Sequence, residues 1–207
     1  MLRSKEGLAR LVKRDGAPAR IVAAFQTIDR ADFVPDAARP EAYRDRPVGI
    51  PERQTTSQPS LIARMIDVAD VKADDKVLEV GTGFGFQTAL LCTLASEVVS
   101  IDRFASLTAA AHTNLERAGI DNVTLVTGDG WQGAPEHAPF DAIIVSAAAS
   151  EVPEALVDQL AEGGRLVIPV QVDGGDEVLL FVKRQHRLER ARLVTPARFV
   201  PLVQGPP

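Results

Sequence analysis

The stretch from Val77 to Thr88 constrains the fold of this chain more than any other segment. It reads Val-Leu-Glu-Val-Gly-Thr-Gly-Phe-Gly-Phe-Gln-Thr. An apolar run, alternating glycines and then helix-forming residues predict a buried strand that turns into a helix. Gly81, Gly83 and Gly85 lack a Cβ atom, so the backbone can turn sharply and approach a ligand closely. Because the N–H groups that begin a helix favour a negatively charged group, the stretch predicts a site for a nucleotide-like cofactor.

The spacing of the glycines distinguishes between cofactors. A dinucleotide fingerprint requires Gly-x-Gly-x-x-Gly, whereas this chain has Gly-x-Gly-x-Gly preceded by Glu79. That variant resembles the first motif of S-adenosylmethionine-dependent methyltransferases. A dehydrogenase would also need a second mononucleotide half and a substrate domain, for which little sequence is left. An ordinary strand-to-helix turn without a ligand could have the same glycines, so other residues must show whether this turn binds a cofactor.

The composition bounds the class of protein. The chain has 207 residues, of which 45% are hydrophobic and 25% charged, and this predicts one sizeable soluble domain. The net charge of -5 gives no long-range attraction to nucleic acid or to an anionic membrane. The first residues lack the apolar core of a signal peptide, and no apolar run is long enough to span a bilayer. We therefore expect a cytoplasmic protein, and the three histidines show no spacing that predicts a metal site.

The order of the predicted elements indicates an α/β fold within a single domain, residues 1–207. Residues 1–60 are expected to form helices and a long irregular loop, residues 33–57, that covers the substrate. Ser57 can cap a helix that starts near Pro59. From residue 61 onward, alternating strands and helices predict a core with a mainly parallel sheet, and the last strands predict an antiparallel C-terminal edge. The predicted strands are 76–80, 97–101, 122–126, 141–146, 165–170, 177–183, 188–195 and 198–202, and the predicted helices between them are 87–95, 106–118 and 153–161.

Three acidic residues stand at the ends of predicted strands, where ligands bind in an open parallel sheet. Glu79 closes the first strand. Asp102 closes the second, about 20 residues beyond the glycines, where a carboxylate can accept hydrogen bonds from ribose hydroxyls. Asp129 follows the third and could accept one from the exocyclic amine of adenine. Asp102 could instead cap a helix, and Asp129 with Gly130 could form a turn. Agreement of all three with the glycines favours S-adenosylmethionine, which carries ribose hydroxyls and an amino acid end but no pyrophosphate.

Four motifs carry a resemblance to a known family. They are Phe33-Val-Pro with Ala42-Tyr-Arg-Asp, then Gln54-Thr-Thr-Ser-Gln-Pro, then Glu79-Val-Gly-Thr-Gly-Phe-Gly-Phe-Gln-Thr-Ala, and Gly128-Asp-Gly-Trp with residues 138–148 and 163–170. Together they resemble the protein-L-isoaspartate (D-aspartate) O-methyltransferases over residues 21–202. The second motif and the Gly-Asp-Gly-Trp segment are specific to that family, whereas many methyltransferases share the glycine motif.

The resemblance implies a Rossmann-like class I S-adenosylmethionine-dependent methyltransferase fold. It implies methyl transfer from S-adenosylmethionine to the free α-carboxylate of L-isoaspartyl residues in damaged proteins or peptides, a step of protein repair. Ser57 matches the active-site serine of the family, and Gln54, Thr55 and Thr56 are expected to donate hydrogen bonds to the substrate carboxylate. The residues expected to bind the cofactor are Glu79, Gly81, Thr82, Gly83, Gly85, Asp102, Arg103, Asp129 and Gly130.

The chemistry and the departures from the family pattern leave three alternatives open. A carboxylate acceptor is already ionised near neutral pH, so Ser57 is expected to position it rather than to act as a nucleophile. Residues 49–54 and Ser60 depart from the family pattern, which motivates a dedicated peptide substrate as one alternative. A nucleic-acid base methyltransferase is disfavoured by the acidic charge and by Ser146-Ala-Ala-Ala in place of Asn/Asp-Pro-Pro-Tyr. The third alternative is a module that binds the cofactor without turnover.

Overall fold

A seven-stranded sheet forms the centre of the protein in this computed structural model, which describes residues 4–205. The helices are α1 (Lys5–Arg14), α2 (Ala19–Thr27), α3 (Pro59–Val68), α4 (Phe86–Cys92), α5 (Ala105–Arg117) and α6 (Glu154–Gln159). The strands are β1 (Val48–Ile50), β2 (Gln54–Thr56), β3 (Lys76–Val80), β4 (Glu97–Asp102), β5 (Val123–Thr127), β6 (Phe140–Val145), β7 (Leu160–Val172), β8 (Gly175–Arg184) and β9 (Arg187–Ala197). The large sheet has the order β5-β4-β3-β6-β7-β8-β9, and β1 and β2 form a separate hairpin.

The five strands from β5 to β7 are parallel, as predicted. Their side chains alternate between two buried clusters, so that Val77 belongs to one and Leu78 to the other, because successive residues of a strand face opposite sides. Helices α1 to α5 contribute to the first cluster, and α6 contributes Leu156 to the second. The chain runs from β3 to β4 and β5 on one side and then crosses to β6 on the other. This reversal opens a crevice at the carboxyl ends of the strands.

The antiparallel edge has one strand fewer than the sequence predicts. Strands β8 and β9 form it as a hairpin on β7, but the prediction of another strand over residues 198–202 is wrong. The chain instead crosses the carboxyl ends of the parallel strands, where the N–H of Ala148 donates a 2.8 Å hydrogen bond to the carbonyl of Val200. The N–H of Leu202 donates a 2.8 Å hydrogen bond to the carbonyl of Ala148 in turn, so this segment pairs with a loop and not with the sheet edge.

The N-terminal part is more regular than the predicted loop. Two short 3₁₀ helices, Arg30–Phe33 and Asp36–Glu41, precede the β1–β2 hairpin. No helix within residues 4–205 has the length and apolar character needed to cross a membrane.

The cap of α3 comes from a distant residue. The helix starts at Pro59, as predicted, but the proposed capping by Ser57 is wrong, because Gln58 occupies the N-cap position and its side chain makes no capping bond. The carboxylate of Asp45 accepts a 2.9 Å hydrogen bond from the N–H of Ser60 instead. The hydroxyl of Ser57 is therefore left available for another role.

Candidate active site

A cavity of about 290 Å³, here called the first cavity, lies at the carboxyl ends of β3, β4 and β6. Its floor is the glycine loop, residues 81–85, which connects β3 to α4. The β1–β2 hairpin, the start of α5 and the chain segment 200–203 form the remaining walls. The position matches the crevice where α/β sheets bind ligands, since the strand order reverses there.

The glycine loop presents bare backbone to the first cavity. Gly81 has a φ of 102° and Gly83 a φ of 56°, a region that favours glycine. A Cβ atom on Gly81 would lie 3.2 Å from the Cβ of Ser146, which is tighter than ordinary contact. Gly85 points elsewhere, since its Cβ would lie 3.4 Å from a side-chain carbon of Leu115, and it does not line the cavity. Gly81 and Gly83 thus allow a ligand to reach the backbone, whereas Gly85 allows α4 to pack closely on α5.

Asp102 links the glycine loop to α5. Its carboxylate accepts a 2.8 Å hydrogen bond from the N–H of Gly83 and a 3.0 Å bond from the N–H of Phe104. The side chain lines the first cavity and is only 7% exposed, and burial raises its pKa above the usual range. Each carboxylate oxygen has a second lone pair, so Asp102 can still accept hydrogen bonds from a ligand.

Glu79 lies beneath the glycine loop and does not line the first cavity. Its fully buried carboxylate accepts hydrogen bonds from the side chains of Gln87 (3.0 Å), Ser100 (2.6 Å) and Thr88. Burial raises the pKa of Glu79 to about 7, because removal from water disfavours the charged form. This residue holds the start of α4 against β3 and β4, which shapes the floor from below.

Gly130 and the chain segment 200–203 close the far end of the first cavity. A Cβ atom on Gly130 would lie 2.5 Å from a methyl carbon of Val80 and 3.4 Å from one of Leu202. The preceding Asp129 does not line the cavity. Its carboxylate accepts hydrogen bonds from the N–H groups of Trp131 (2.9 Å) and Gly205 (2.8 Å). Asp129 therefore fixes the turn at Gly130 and holds the C-terminal part of the chain over the site.

Two further contacts hold the walls of the first cavity together. The guanidinium of Arg103 donates a 3.1 Å hydrogen bond to the carbonyl of Val203 and lies 5.6 Å from the ring centroid of Phe104. On the other side, the hydroxyl of Ser106 donates a 2.7 Å bond to Glu52 at the tip of the hairpin. The start of α5 thus ties both covering segments to the sheet.

A second cavity, of about 330 Å³, adjoins the first. Thr55, Ser57, Ser146 and Val200 line both cavities, and we call these four residues the neck. The hydroxyls of Thr55 and Ser57 make no hydrogen bond with any residue in the range 4–205. Three hydroxyl groups therefore stand where the two cavities meet.

Arg30, which no sequence pattern singles out, holds the backbone that leads to the neck. Its fully buried guanidinium donates to the hydroxyl of Thr56 (2.7 Å) and to the carbonyl of Ser57 (2.9 Å). Three further bonds of 3.1 Å go to the carbonyls of Ala42, Arg44 and Arg46. Burial lowers the pKa of Arg30 to about 10. No motif marks this residue in the sequence, because its partners are mostly backbone carbonyls from a loop.

The structure brings most of the sequence-predicted site residues to one place. Those that line the first cavity are Gln54, Thr55, Thr56, Ser57, Gly81, Thr82, Gly83, Asp102, Arg103 and Gly130. Glu79, Gly85 and Asp129 lie behind this lining and support it. The hydroxyl of Thr56 is bonded to Arg30, and the amide of Gln54 donates to the carbonyl of Glu52.

A model of the protein-L-isoaspartate(D-aspartate) O-methyltransferase family matches residues 3–206. The chain belongs to this family. The predicted family and the prediction of an enzyme are therefore confirmed.

Curated members of the O-methyltransferase family are similar over most of the chain. The protein-L-isoaspartate O-methyltransferase of Koribacter versatilis is 47% identical over 184 residues, which are 89% of this chain and 82% of that protein. The one from Methanoculleus marisnigri is 46% identical over 184 residues, covering 89% and 83%. That of Myxococcus xanthus is 42% identical over 204 residues, covering 97% and 96%.

Solved structures of the family share the fold. A protein-L-isoaspartate O-methyltransferase superposes with a TM-score of 0.87 at 32% identity, covering 97% of this chain and 66% of that chain. A Plasmodium falciparum protein assigned to the same activity, in complex with S-adenosyl-L-homocysteine, superposes with a TM-score of 0.87 at 25% identity and covers 99% and 100%. The predicted class I methyltransferase fold, with its parallel sheet and antiparallel edge, is confirmed.

Proposed function

We propose that the protein transfers the methyl group of S-adenosylmethionine to the free α-carboxylate of L-isoaspartyl residues in damaged proteins and peptides. The observation that carries the proposal is the neck, where two cavities meet at three hydroxyls. We assign the first cavity to the donor and the second to the peptide. A reacting pair can then meet only at the neck.

The first cavity fits S-adenosylmethionine by the chemistry of its walls. The bare backbone of Gly81 and Gly83, with Thr82 between them, suits an amino acid end, and Asp102 suits two ribose hydroxyls. Val80, Gly130 and Leu202 line one end of the cavity, and such an apolar wall suits an adenine ring. Arg103 joins the wall at the same end. The bound S-adenosyl-L-homocysteine in the Plasmodium falciparum relative supports this assignment.

Glu79, Gly85 and Asp129 act on the donor indirectly in this proposal. Each holds a part of the lining: Glu79 the start of α4, Gly85 the packing of that helix, and Asp129 the turn before Gly130. The predicted direct hydrogen bond from adenine to Asp129 is not part of this proposal, because Asp129 does not line the first cavity.

The reaction requires alignment rather than proton transfer. When bound, S-adenosylmethionine supplies an electrophilic methyl carbon whose bond to sulfur breaks as a carboxylate oxygen bonds to it, which leaves a methyl ester and S-adenosylhomocysteine. The acceptor carboxylate is ionised near neutral pH, so no base is needed. The free hydroxyls of Ser57 and Thr55 can donate hydrogen bonds to that carboxylate and hold it in line. Gln54 and Thr56 keep the β2 strand in place beside them.

The covering segments exclude water from the methyl group. The hairpin lies over the glycine loop, since the side chain of Ile50 would be 3.4 Å from a Cβ on Gly83. The chain segment 200–203 covers the opposite side. A closed, dry site strengthens the hydrogen bonds to the carboxylate and protects the donor from hydrolysis.

The proposal extends to the partners of the protein. Isoaspartyl proteins and peptides are the expected substrates, and the net charge of -5 argues against nucleic acid or an anionic membrane. We also propose that the chain works in the cytoplasm. We propose that it forms one domain, because the hairpin and the chain segment 200–203 wall the same cavity.

A labelled-methyl assay tests the proposal. The protein is incubated with labelled S-adenosylmethionine and either an isoaspartyl peptide or its aspartyl twin. The expected result is a base-labile label, as an ester gives, on the isoaspartyl peptide only. Equal labelling of the twin would favour a dedicated aspartyl substrate, and label in nucleic acid alone would refute the proposal. Binding of S-adenosylhomocysteine without any turnover would favour a non-catalytic module.

A further inference from the structure

Ser146 is the neck residue whose hydrogen bonding the structure defines most fully. It follows β6 directly, and its hydroxyl oxygen accepts a 2.9 Å hydrogen bond from the side-chain amide of Gln87. No residue in the described range 4–205 accepts a hydrogen bond from this hydroxyl. The side chain is partly exposed, and it lines both cavities.

Buried contacts behind Ser146 fix the direction of its hydrogen bonds. The amide nitrogen of Gln87 donates to a carboxylate oxygen of Glu79 at 3.0 Å and to Ser146. Gln87 is 6% exposed, so its amide cannot turn freely, and the ionised form of Glu79 requires a donor on that side. Both amide hydrogens are thus committed. The oxygen of Ser146 is held as an acceptor, and its own hydrogen must point to something else.

The space open to that hydrogen is the neck. An acceptor placed there would meet the hydroxyl hydrogens of Ser57 and Ser146 from two different elements, since Ser57 precedes α3 and Ser146 follows β6. A carboxylate offers two oxygens and accepts from several donors. A hydroxyl that already accepts a hydrogen bond is also a stronger donor, because bonds in a chain polarise one another.

We propose that Ser146 is a second substrate-binding residue, which donates a hydrogen bond to the acceptor carboxylate of the isoaspartyl residue together with Ser57. The inference rests on the proposed function and adds a contact that fixes which oxygen faces the methyl donor. Gln87 is the positioning residue that orients Ser146. The buried Glu79 orients Gln87 in turn.

Peptide binding measured by calorimetry tests this role without turnover. The full-length protein is saturated with S-adenosylhomocysteine and titrated with an isoaspartyl peptide or with the same peptide whose acceptor α-carboxylate is a carboxamide. Ser146→Ala should weaken binding of the carboxylate peptide tenfold or more, because hydrogen bonds to charged groups are the strong ones. Binding of the carboxamide peptide should change less than twofold, and so should binding of S-adenosylhomocysteine.

Two further variants separate this role from a structural one. Ser146→Cys keeps the shape of the side chain and replaces a strong hydrogen-bond donor by a weak one. It should therefore also weaken binding of the carboxylate peptide and leave binding of the carboxamide peptide unchanged. Ser96→Ala is the matched control, because Ser96 precedes β4 at the opposite end of the strands. It should change the binding of neither peptide.

The outcomes that overturn the inference are distinct from those that overturn the function. Equal weakening of both peptides, no weakening of either, or a parallel loss of S-adenosylhomocysteine binding would show that Ser146 does not contact the carboxylate. In each of those cases the wild-type protein would still methylate the isoaspartyl peptide. If the wild-type protein itself gives no methyl ester, the proposed function fails, and this inference fails with it.

Discussion

The guanidinium of Arg30 donates a 2.7 Å hydrogen bond to the hydroxyl of Thr56, in a contact that is fully buried. The same guanidinium holds the carbonyl of Ser57. One charged side chain thus fixes the backbone at the neck while leaving the hydroxyl of Ser57 free. The precision of the candidate active site depends on a residue that contacts neither cavity.

Replacement of Arg30 by lysine should therefore impair both stability and activity. Lysine keeps the charge but has one nitrogen in place of the planar fork that reaches five oxygens. We expect a loss of about 2–4 kcal/mol in the free energy of unfolding and a fall in kcat/KM of more than tenfold. Urea unfolding and the methyl-transfer assay measure the two effects. Arg39→Lys, at an exposed ion pair with Asp36, is the matched control and should change neither.

Ser57→Ala should separate catalysis from stability. The Ser57 hydroxyl bonds to nothing in the described part of the chain, so the free energy of unfolding should change by less than about 0.5 kcal/mol. Loss of a hydrogen bond to a charged acceptor costs about 1.5–3 kcal/mol, so kcat/KM on an isoaspartyl peptide should fall at least tenfold while affinity for S-adenosylhomocysteine is kept. Unchanged turnover in this variant would remove Ser57 from the mechanism.

Glu79→Gln should change how stability depends on pH. Burial raises the pKa of Glu79 from its ordinary 4.5 to about 7, so between these values the folded protein binds the proton more tightly than the unfolded chain does. The free energy of unfolding therefore decreases as the pH rises through this window, by up to about 3 kcal/mol from this group. The variant lacks this group, so its stability relative to wild type should improve from pH 5 to pH 8. Thermal melting of both proteins across that range provides the measurement, and a constant difference between them would contradict the assignment.

Gly130→Ala should close the apolar end of the first cavity. The added Cβ would lie 2.5 Å from a methyl carbon of Val80, so the wall that we assign to adenine must shift. We expect affinity for S-adenosylhomocysteine, measured by calorimetry, to fall at least tenfold. Gly175→Ala is the matched control, because its Cβ would meet only a carbonyl oxygen at 3.5 Å at the remote start of β8. Equal affinities of the two variants for S-adenosylhomocysteine would contradict the placement of adenine beside Gly130.

The sequence predicts those parts of the fold and site that depend on local patterns. The apolar run before the glycines gives β3 its observed bounds, residues 76–80, because a strand buried on both faces has a distinct composition. The apolar run before Asp102 likewise places this residue at the end of β4. The carboxyl ends of neighbouring parallel strands lie at one edge of the sheet, so its position beside the glycine loop could be predicted as well.

Contacts between residues far apart in the chain could not be predicted from the sequence. Capping of α3 falls to Asp45 rather than to the adjacent Ser57, and Arg30 binds carbonyls up to 27 residues away. Ser146 and Gln87 are 59 residues apart, and the sequence around neither residue predicts their hydrogen bond. The segment after β9 has strand-like composition, but its backbone pairs with the distant Ala148 across the carboxyl ends of the strands. Each of these depends on where the fold brings a distant partner.

The position of the chain segment 200–203 has a consequence for synthesis of the protein. It walls the first cavity together with Ile50 and Gln54 from the hairpin, about 150 residues earlier in the chain. A ribosome must therefore release the chain as far as residue 203 before the donor pocket exists. A partly made chain could build β3 and the glycine loop, yet it would be unable to retain the sulfonium compound until this segment had settled over it.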